Sequence, residues 1–361
     1  MIVRTLLSCA ALLALAACGN SSTPAGLATG LATGLGTGAK TEFAGEPALE
    51  TAQETLDAAL RCSGFTHPDK PAVLLVHGTF TSGYEQYNWT YLPLLADRGF
   101  DVCTVTYPDR GLGDQQVSAE YVVNALRRLH AKTGRKVAMI GHSQGASMPR
   151  WALKWWPSAR DAVDDFVMEA GPNHGTTQSS TLTSMLPLSS LPVGLLPESV
   201  YQFDPNSQFT QAVNRGDETP GDISYTSLYS GFYDELVQPA TPVPTAGLDW
   251  QQNNPQVSNL MLQDICPNRF VDHVTIGLTD RLAFELVLDA ISNPGPANVA
   301  RAGGAAKLCG LAAIIPDQII APEVVTGLIS ILQQESSAGV LNPHLTSAEP
   351  ALKPYAQAAA P

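Results

Sequence analysis

Apolar residues between positions 71 and 291 follow two alternating patterns. Short apolar runs, typical of buried strands, occur at Ala72–Val76, Val102–Tyr107, Val137–Ile140, Phe166–Ala170 and Ile223–Tyr229. Segments with apolar residues at helical spacing lie between and after them, at Trp89–Asp97, Val117–Leu129, Gln144–Trp156 and Asp280–Ile291. The alternation predicts an α/β fold, with helices on both faces of a mostly parallel central sheet. Pro149 is expected to bend the helix that contains it.

The alternation lapses between Pro172 and Thr219. Within this part of the chain, Thr181–Tyr201 is rich in leucine and is broken by three prolines, which prevent one long helix. We expect an apolar, lid-like insertion at about residues 175–219, which moves over a site or forms the wall of an acyl-binding groove. The alternative is a buried connection that only packs on the core.

The start of the chain has the pattern of a targeting segment. An apolar stretch too short to span a membrane follows Arg4, so residues 1–17 are expected to form a secretory signal peptide. Leu15-Ala16-Ala17-Cys18 resembles a bacterial lipobox, whose cysteine is lipidated and becomes the first mature residue. We therefore expect an exported lipoprotein of the cell envelope, held at the membrane by a lipid on Cys18. The alternative is an ordinary signal peptide and a secreted protein.

Composition divides the rest of the chain. Residues 18–46 are rich in Gly, Ala, Thr and Ser, which favours a flexible tether. One folded domain is expected over residues 47–345 and a low-complexity tail over 346–361. The 361 residues, 44% hydrophobic and 15% charged, suffice for a large α/β domain.

Charge and cysteine content restrict partners and compartment. A net charge of −13 without a basic run argues against a nucleic-acid partner. If Cys9 is lost with the signal peptide and Cys18 carries lipid, Cys62, Cys103, Cys266 and Cys309 remain. An even number in an exported chain predicts two disulfides, and the sequence alone allows every pairing. Clusters of His and Cys at metal-ligand spacing and glycine-rich phosphate loops are absent from the sequence, so we expect no metal and no cofactor.

A candidate nucleophile follows the strand predicted at Val137–Ile140. Gly141-His142-Ser143-Gln144-Gly145 is a G-x-S-x-G motif, in which a serine sits on a strained turn between strand and helix. Small residues on both sides are needed because the turn brings backbone segments together. The motif predicts that Ser143 presents its hydroxyl above the sheet.

A serine nucleophile needs a histidine base and an acid that orients the histidine, and in this fold class they follow in the order Ser, acid, His. The loop after the strand at 223–229 contains Asp234, the expected acid, with Glu235 as the near alternative. His273 is then the expected base. His174 precedes the acid, and His344 lies in a segment rich in Pro, Ser and Ala.

The oxyanion formed during acyl transfer needs two backbone N–H donors. One is expected from Gln144, beside the nucleophile. The other is expected from the loop His77-Gly78-Thr79-Phe80, where Thr79 also offers its hydroxyl.

Several stretches of the chain, from about residue 55 to 291, resemble the alpha/beta-hydrolase lipases. They are Leu75–Thr79, Gly141–Gly145, Pro172–Thr176, Tyr229–Ser230, Asp234–Pro239 and Asp272–His273. The resemblance implies an alpha/beta-hydrolase fold, a triad of Ser143, Asp234 and His273, and an oxyanion site at Thr79 and Gln144. It also implies the disulfide pairs Cys62–Cys103 and Cys266–Cys309.

Three departures from the matching lipase fall in the expected substrate pocket. His142 stands where that lipase has a tryptophan, Phe80 replaces a glycine, and Asn173 replaces an aspartate. Its substrate preference therefore does not transfer. The helix-like segment Pro322–Gln333 corresponds weakly to a helix near the lipase entrance.

These features predict a serine hydrolase, a lipase or esterase that cleaves lipophilic carboxylic esters through an acyl-enzyme. We expect the protein to be a monomer. The alternatives are a polyesterase, an acyltransferase and, in a different class, a non-catalytic cell-surface protein.

Overall fold

The computed structural model describes residues 43–178, 194–250, 252–315 and 344–357. Apolar runs build the central seven-stranded sheet of this part of the chain, in the order β1-β3-β2-β4-β5-β7-β8. Its strands are β1 Leu60–Cys62, β2 Val73–Val76, β3 Val102–Val105, β4 Val137–His142, β5 Val163–Glu169, β7 Ser224–Tyr229 and β8 Val257–Met261. Each neighbouring pair is parallel except β1 and β3. The two short strands β6 Leu196–Pro197 and β9 Leu345–Thr346 pair separately.

The strand that precedes Ser143 lies at the centre of the sheet. All six residues of β4 are buried, and the strand is paired with β2 on one side and β5 on the other. Side chains of β2 alternate between the two cores: Leu74 and Val76 belong to one, Val73 and Leu75 to the other. Such burial on both faces explains why β2 and the first four residues of β4 are continuously apolar in sequence.

Helices cover both faces, as the sequence predicts. They are α1 Gln53–Ala58, α2 Gly83–Tyr87, α3 Tyr91–Ala96, α4 Gln115–Thr133, α5 Gln144–Ser147, α6 Pro149–Trp155, α7 Pro157–Arg160, α8 Glu198–Gln202, α9 Gln208–Asn214, α10 Leu262–Ile265, α11 His273–Ile276, α12 Arg281–Ser292, α13 Ala305–Cys309 and α14 Pro354–Gln357, with a 3-10 turn at Pro108–Gly111. Apolar residues of α4 and α6 pack in the first core, and those of α3 and α12 in the second.

The helix expected at Gln144–Trp156 is two helices, α5 and α6. They meet at Met148, whose backbone is itself helical, directly before Pro149. Proline has no N–H to donate to the preceding turn, so the hydrogen-bonded ladder is interrupted there.

Both disulfides join the cysteines paired by the resemblance. Cys62 and Cys103 lie opposite each other on β1 and β3, with an S–S distance of 2.04 Å. Cys266, at the end of α10, is bonded to Cys309 at the end of α13. No helix in the described ranges is both long and apolar enough to cross a membrane.

The two ends of the described chain pack on the domain. Glu46 accepts hydrogen bonds from Arg127 and Ser158. In the segment predicted as a tail, Tyr355 packs against the first core. The predicted signal peptide, Cys18, most of the tether, part of the insertion and the segment Pro322–Gln333 lie outside the described residues.

Candidate active site

Ser143 sits on the sharp turn between β4 and α5. Its backbone has φ of 57° and ψ of −124°, a conformation that costs free energy in a residue other than glycine. A Cβ on Gly141 would lie 1.8 Å from the carbonyl oxygen of Gly145, and one on Gly145 would lie 2.1 Å from that of Val76. The two glycines are therefore required by close backbone contact.

His273 faces the Ser143 hydroxyl at the start of α11. The distance from His273 Nε2 to Ser143 Oγ is 2.9 Å, within hydrogen-bond range. Asp272 caps this short helix, because its carboxylate accepts the Thr275 N–H at 2.7 Å while the Thr275 hydroxyl accepts the Asp272 N–H. The cap fixes the backbone from which the imidazole projects.

Asp234 approaches the other side of the imidazole. Its carboxylate oxygens lie 3.0 and 3.1 Å from His273 Nδ1, and Oδ1 also accepts the N–H groups of Leu236 and Val237. Glu235 instead accepts the backbone N–H of His273, at 3.3 Å. Of the two candidate acids, it is thus Asp234 whose carboxylate is bonded to the ring.

Burial and charge set the protonation of this pair. Burial favours a neutral Asp234, but the charge of His273, its hydrogen bond and the two backbone N–H groups prevail and lower the pKa of the carboxyl. Burial likewise disfavours a charged His273, yet Asp234, with Glu235 and Asp272, raises the pKa of the imidazole. The site thus stabilises a proton on His273.

Thr79 lines the same cleft as Ser143, and Gln144 follows Ser143 in the chain. Neither backbone N–H has a hydrogen-bond acceptor within the described part of the chain. The Thr79 hydroxyl is 3.4 Å from Gln144 Oε1, and the Gln144 amide donates to the carbonyl of Gly111 at 2.9 Å. The Phe80 N–H donates to Arg110 at 2.7 Å, which ties the Thr79 loop to its neighbour. His77 supports the same loop by stacking on Tyr107.

An apolar cleft opens in front of Ser143 and His273. It holds about 710 Å³ of empty space, counting the part open to solvent. Its apolar lining is Phe80, Pro172, Phe203, Leu236, Val237, Val274 and Leu278, and its polar lining includes Thr79, Gln86, His142 and Thr176. Phe203 and Thr176 belong to the described part of the insertion.

Of the three residues expected in the pocket, Phe80 and His142 line the cleft and Asn173 does not. The Asn173 amide donates to the carbonyl of Ala246 at 2.7 Å, which holds the side chain in the buried layer behind Pro172. A pocket role for Asn173 therefore stays a prediction.

The other two histidines that follow Ser143 in the chain have partners elsewhere. His174 pairs with Glu218 at 3.0 Å and His344 with Glu198 at 2.8 Å. Neither has a hydrogen bond to Ser143 in the described structure.

Comparison with known proteins identifies the family of this chain. A family model described as the alpha/beta hydrolase family matches residues 73–307. The chain belongs to the alpha/beta hydrolase family. Lipase B of Pseudozyma antarctica is 30% identical over 306 residues, 84% of each chain. The crystal structure of Aspergillus fumigatus lipase B superposes with a TM-score of 0.74 at 27% identity, covering 94% of this chain and 78% of the other.

Two residues of this alpha/beta hydrolase site escape the sequence analysis. Gln86, on α2, reaches His142, and Gly277 faces the His142 ring. The capping box between Ser82 and Glu85 is visible in the sequence and would have predicted α2, and with it the burial of one helical face. No local signal marks Gly277, whose role depends on a contact distant in sequence.

Proposed function

We propose that this protein is a serine carboxylic ester hydrolase, a lipase or esterase acting on lipophilic esters. Membership of the alpha/beta hydrolase family and similarity to lipases support the general activity. The observation that carries the specific mechanism is the continuous hydrogen-bonded connection from Ser143 through His273 to Asp234, at the base of an apolar cleft.

In the acylation half of the reaction, Ser143 Oγ attacks the ester carbonyl carbon while His273 Nε2 takes the hydroxyl proton. Asp234 stabilises the resulting imidazolium. The N–H groups of Thr79 and Gln144, with the Thr79 hydroxyl, stabilise the negative oxygen of the tetrahedral intermediate. His273 then passes its proton to the departing alcohol, and the acyl group remains on Ser143.

In the second half, water replaces the alcohol. His273 accepts a proton from the water as its oxygen attacks the acyl carbon, and the proton then returns to Ser143 as the carboxylic acid leaves. The apolar walls, including Phe80, Phe203 and Leu278, favour substrates with a hydrocarbon acyl or alcohol chain.

The test is hydrolysis of p-nitrophenyl esters of increasing acyl length by the wild type and Ser143→Ala. We expect kcat/KM to fall at least about 10³-fold in the variant. The matched control is Ser118→Ala on α4, whose hydroxyl donates to the carbonyl of the N-cap residue Asp114 in the described structure, and it should retain wild-type activity. Undiminished activity in Ser143→Ala would remove this serine from the mechanism. A preference for short chains would favour esterase over lipase.

We also propose that the protein is exported and anchored by a lipid on Cys18. The lipobox-like end of the first apolar segment and the two disulfides support this, because disulfides persist in oxidising compartments. Mass spectrometry of the mature protein should find a diacylglyceryl adduct on Cys18. A mature terminus beyond this residue would contradict anchoring.

A further inference from the structure

Two buried side chains, Gln86 and His142, connect the loop of Thr79 to the loop of His273. The Gly78 N–H and the Thr81 hydroxyl both donate to Gln86 Oε1 at 2.8 Å. Gln86 Nε2 lies 3.3 Å from His142 Nδ1. His142 Nε2 lies 2.7 Å from the carbonyl oxygen of His273. We call this row of contacts the Gln86–His142 bridge.

The direction of every hydrogen bond in the bridge is determined by its two ends. A backbone N–H can only donate, so the Gln86 atom facing Gly78 must be the oxygen, and its amide nitrogen must face His142. That nitrogen can only donate, so His142 Nδ1 must be without a proton. Nε2 then carries the proton, which is what the carbonyl of His273 requires.

The bridge holds only while His142 is neutral, because a proton on Nδ1 would face the Gln86 amide hydrogens. The side chain of His142 is buried, with 6% of the residue exposed. Burial and the nearby His273 lower the pKa of His142 to about 3. His142 therefore stays neutral, as the bridge requires, at any pH at which His273 can act as a base.

Packing fixes the His142 ring as well. A Cβ on Gly277 would lie 2.3 Å from Cδ2 of His142, so the loop after α11 can close over the ring only with glycine at this position. The ring centroids of His142 and His273 are 5.1 Å apart. The ring is thus held between the nucleophile strand and the loop that carries the base.

We infer that Gln86 and His142 are positioning residues for ester hydrolysis: the bridge sets the His273 backbone relative to the oxyanion loop. This inference rests on the proposed function. His273 and Thr79 are on loops far apart in sequence, and both must meet one tetrahedral intermediate at Ser143. A displacement of about 1 Å between such groups can cost about 10²-fold in rate.

Two substitutions of His142 separate the two halves of the bridge. The amide nitrogen of His142→Gln reaches the position of Nε2 and can still donate to the His273 carbonyl. The amide oxygen of His142→Asn reaches the position of Nδ1 and can accept from Gln86, but the bond to His273 is lost. Each variant breaks the bridge at one end, so we expect kcat to fall about tenfold in both, with KM changed less than about threefold.

Gln86→Met, alone and combined with His142→Asn, tests whether the bridge acts as a unit. We expect the kcat of the double variant to equal that of the less active single variant, because the second substitution acts on a connection that the first has already broken. The matched control is His130→Gln, an exposed histidine whose Nδ1 contacts the carbonyl of Arg135, and its kcat should equal that of the wild type. The proton resonance between His273 and Asp234 should shift in His142→Asn and keep its position in His142→Gln.

Full kcat in the Asn or the Gln variant, or losses that multiply in the double variant, would overturn the inference. If a His142 variant does not fold, as judged by thermal unfolding, Gln86→Met alone decides: full kcat would overturn the bridge, and a loss of about tenfold would support it. Ser143→Ala keeps the two proposals separate. An active Ser143→Ala contradicts the proposed function, whereas an inactive Ser143→Ala with fully active bridge variants contradicts the bridge alone.

Discussion

His273 has two carboxylates within reach, and their geometry gives them different effects at the residue scale. Asp234 is bonded to the ring nitrogen, whereas Glu235 is bonded to the backbone N–H. Asp234→Asn should lower kcat by about 10⁴-fold, because an amide no longer holds the tautomer or stabilises the imidazolium. Glu235→Gln, the same chemical change one residue away, should cost much less. A larger loss in Glu235→Gln would make Glu235 the orienting acid. Steady-state kinetics on one p-nitrophenyl ester measures both.

The same pair of variants predicts a shift in the pH profile. Only neutral His273 can accept the Ser143 proton, so kcat/KM is lost as pH falls through the pKa of His273. Burial would lower this pKa, but the charge of Asp234 is the largest effect that raises it, and the net result lies above the ordinary 6.5. The acidic limb of kcat/KM should therefore lie above pH 6.5 in the wild type and move to lower pH in Asp234→Asn. A limb that stays in place would show that another group controls it.

Residues whose chemical role demands a particular residue type could be predicted individually from the sequence. Contacts between residues distant in sequence could not. The motif and chain order point to Ser143, Asp234 or its neighbour Glu235, and His273, because the chemistry demands those residue types and this fold class arranges them in that order. Asn173 shows the limit: alignment with a pocket residue does not fix where an amide side chain points. Gln86 depends on its backbone and side-chain partners in the folded protein.

At the element scale, the helix behind the nucleophile is supported by the end of the chain. Tyr355 on α14 packs its ring 6.4, 6.1 and 5.2 Å from those of Trp151, Trp155 and Trp156, and accepts the Trp151 N–H at 3.2 Å. Since Trp151 and Trp155 are on α6, this contact braces the helix that follows the Ser143 turn.

Tyr355→Ala should reduce the free energy of unfolding by about 3 kcal/mol, because it removes a ring from a packed aromatic cluster. Tyr355→Phe keeps the ring and loses only the hydrogen bond with Trp151, so it should cost about 1 kcal/mol. Denaturant unfolding measures both. Equal costs for the two variants would mean that the ring itself contributes no packing.

Sheet position decides which strands the apolar pattern predicts. β2, β3 and β4 are buried on both faces and are apolar except for Thr104 in β3 and the last two residues of β4, and the pattern locates them within two residues. β1 and β8 form the two edges of the sheet. β1 has only three residues, and half-buried β8 contains Ser258 and Asn259. Edge strands need less apolar surface, so their sequences carry a weaker signal.

At the scale of the whole molecule, the stability of the fold couples to pH through buried groups that stay neutral. Burial, opposed by a hydrogen bond to Gly78, lowers the pKa of His77 from 6.5 to about 4. Burial also raises the pKa of Glu169 well above its usual 4.5, although Tyr91 donates a hydrogen bond to it. Both side chains are fully buried. Unfolding would expose both groups to water, where each returns to its ordinary pKa.

The two groups should change stability in opposite directions between pH 4.5 and 6.5. There the unfolded chain protonates His77 while the folded protein does not, so this contribution is complete above pH 6.5 and is lost as pH falls towards 4. The folded protein keeps the proton on Glu169 while the unfolded chain releases it, so that contribution is complete below pH 4.5 and is lost as pH rises. Each slope approaches about 1.4 kcal/mol per pH unit, and in the wild type they largely offset each other.

Replacing either group should therefore leave the pH dependence of the free energy of unfolding that the other group causes. In His77→Gln, the free energy of unfolding should fall more steeply than in the wild type as pH rises from 4.5 to 6.5, because the opposing contribution of His77 is gone. In Glu169→Gln it should instead rise over the same interval relative to the wild type. Denaturant titrations at several pH values measure both slopes, and the slope does not depend on the constant cost of each substitution. Parallel curves for the wild type and both variants would mean that neither group changes its proton affinity on folding.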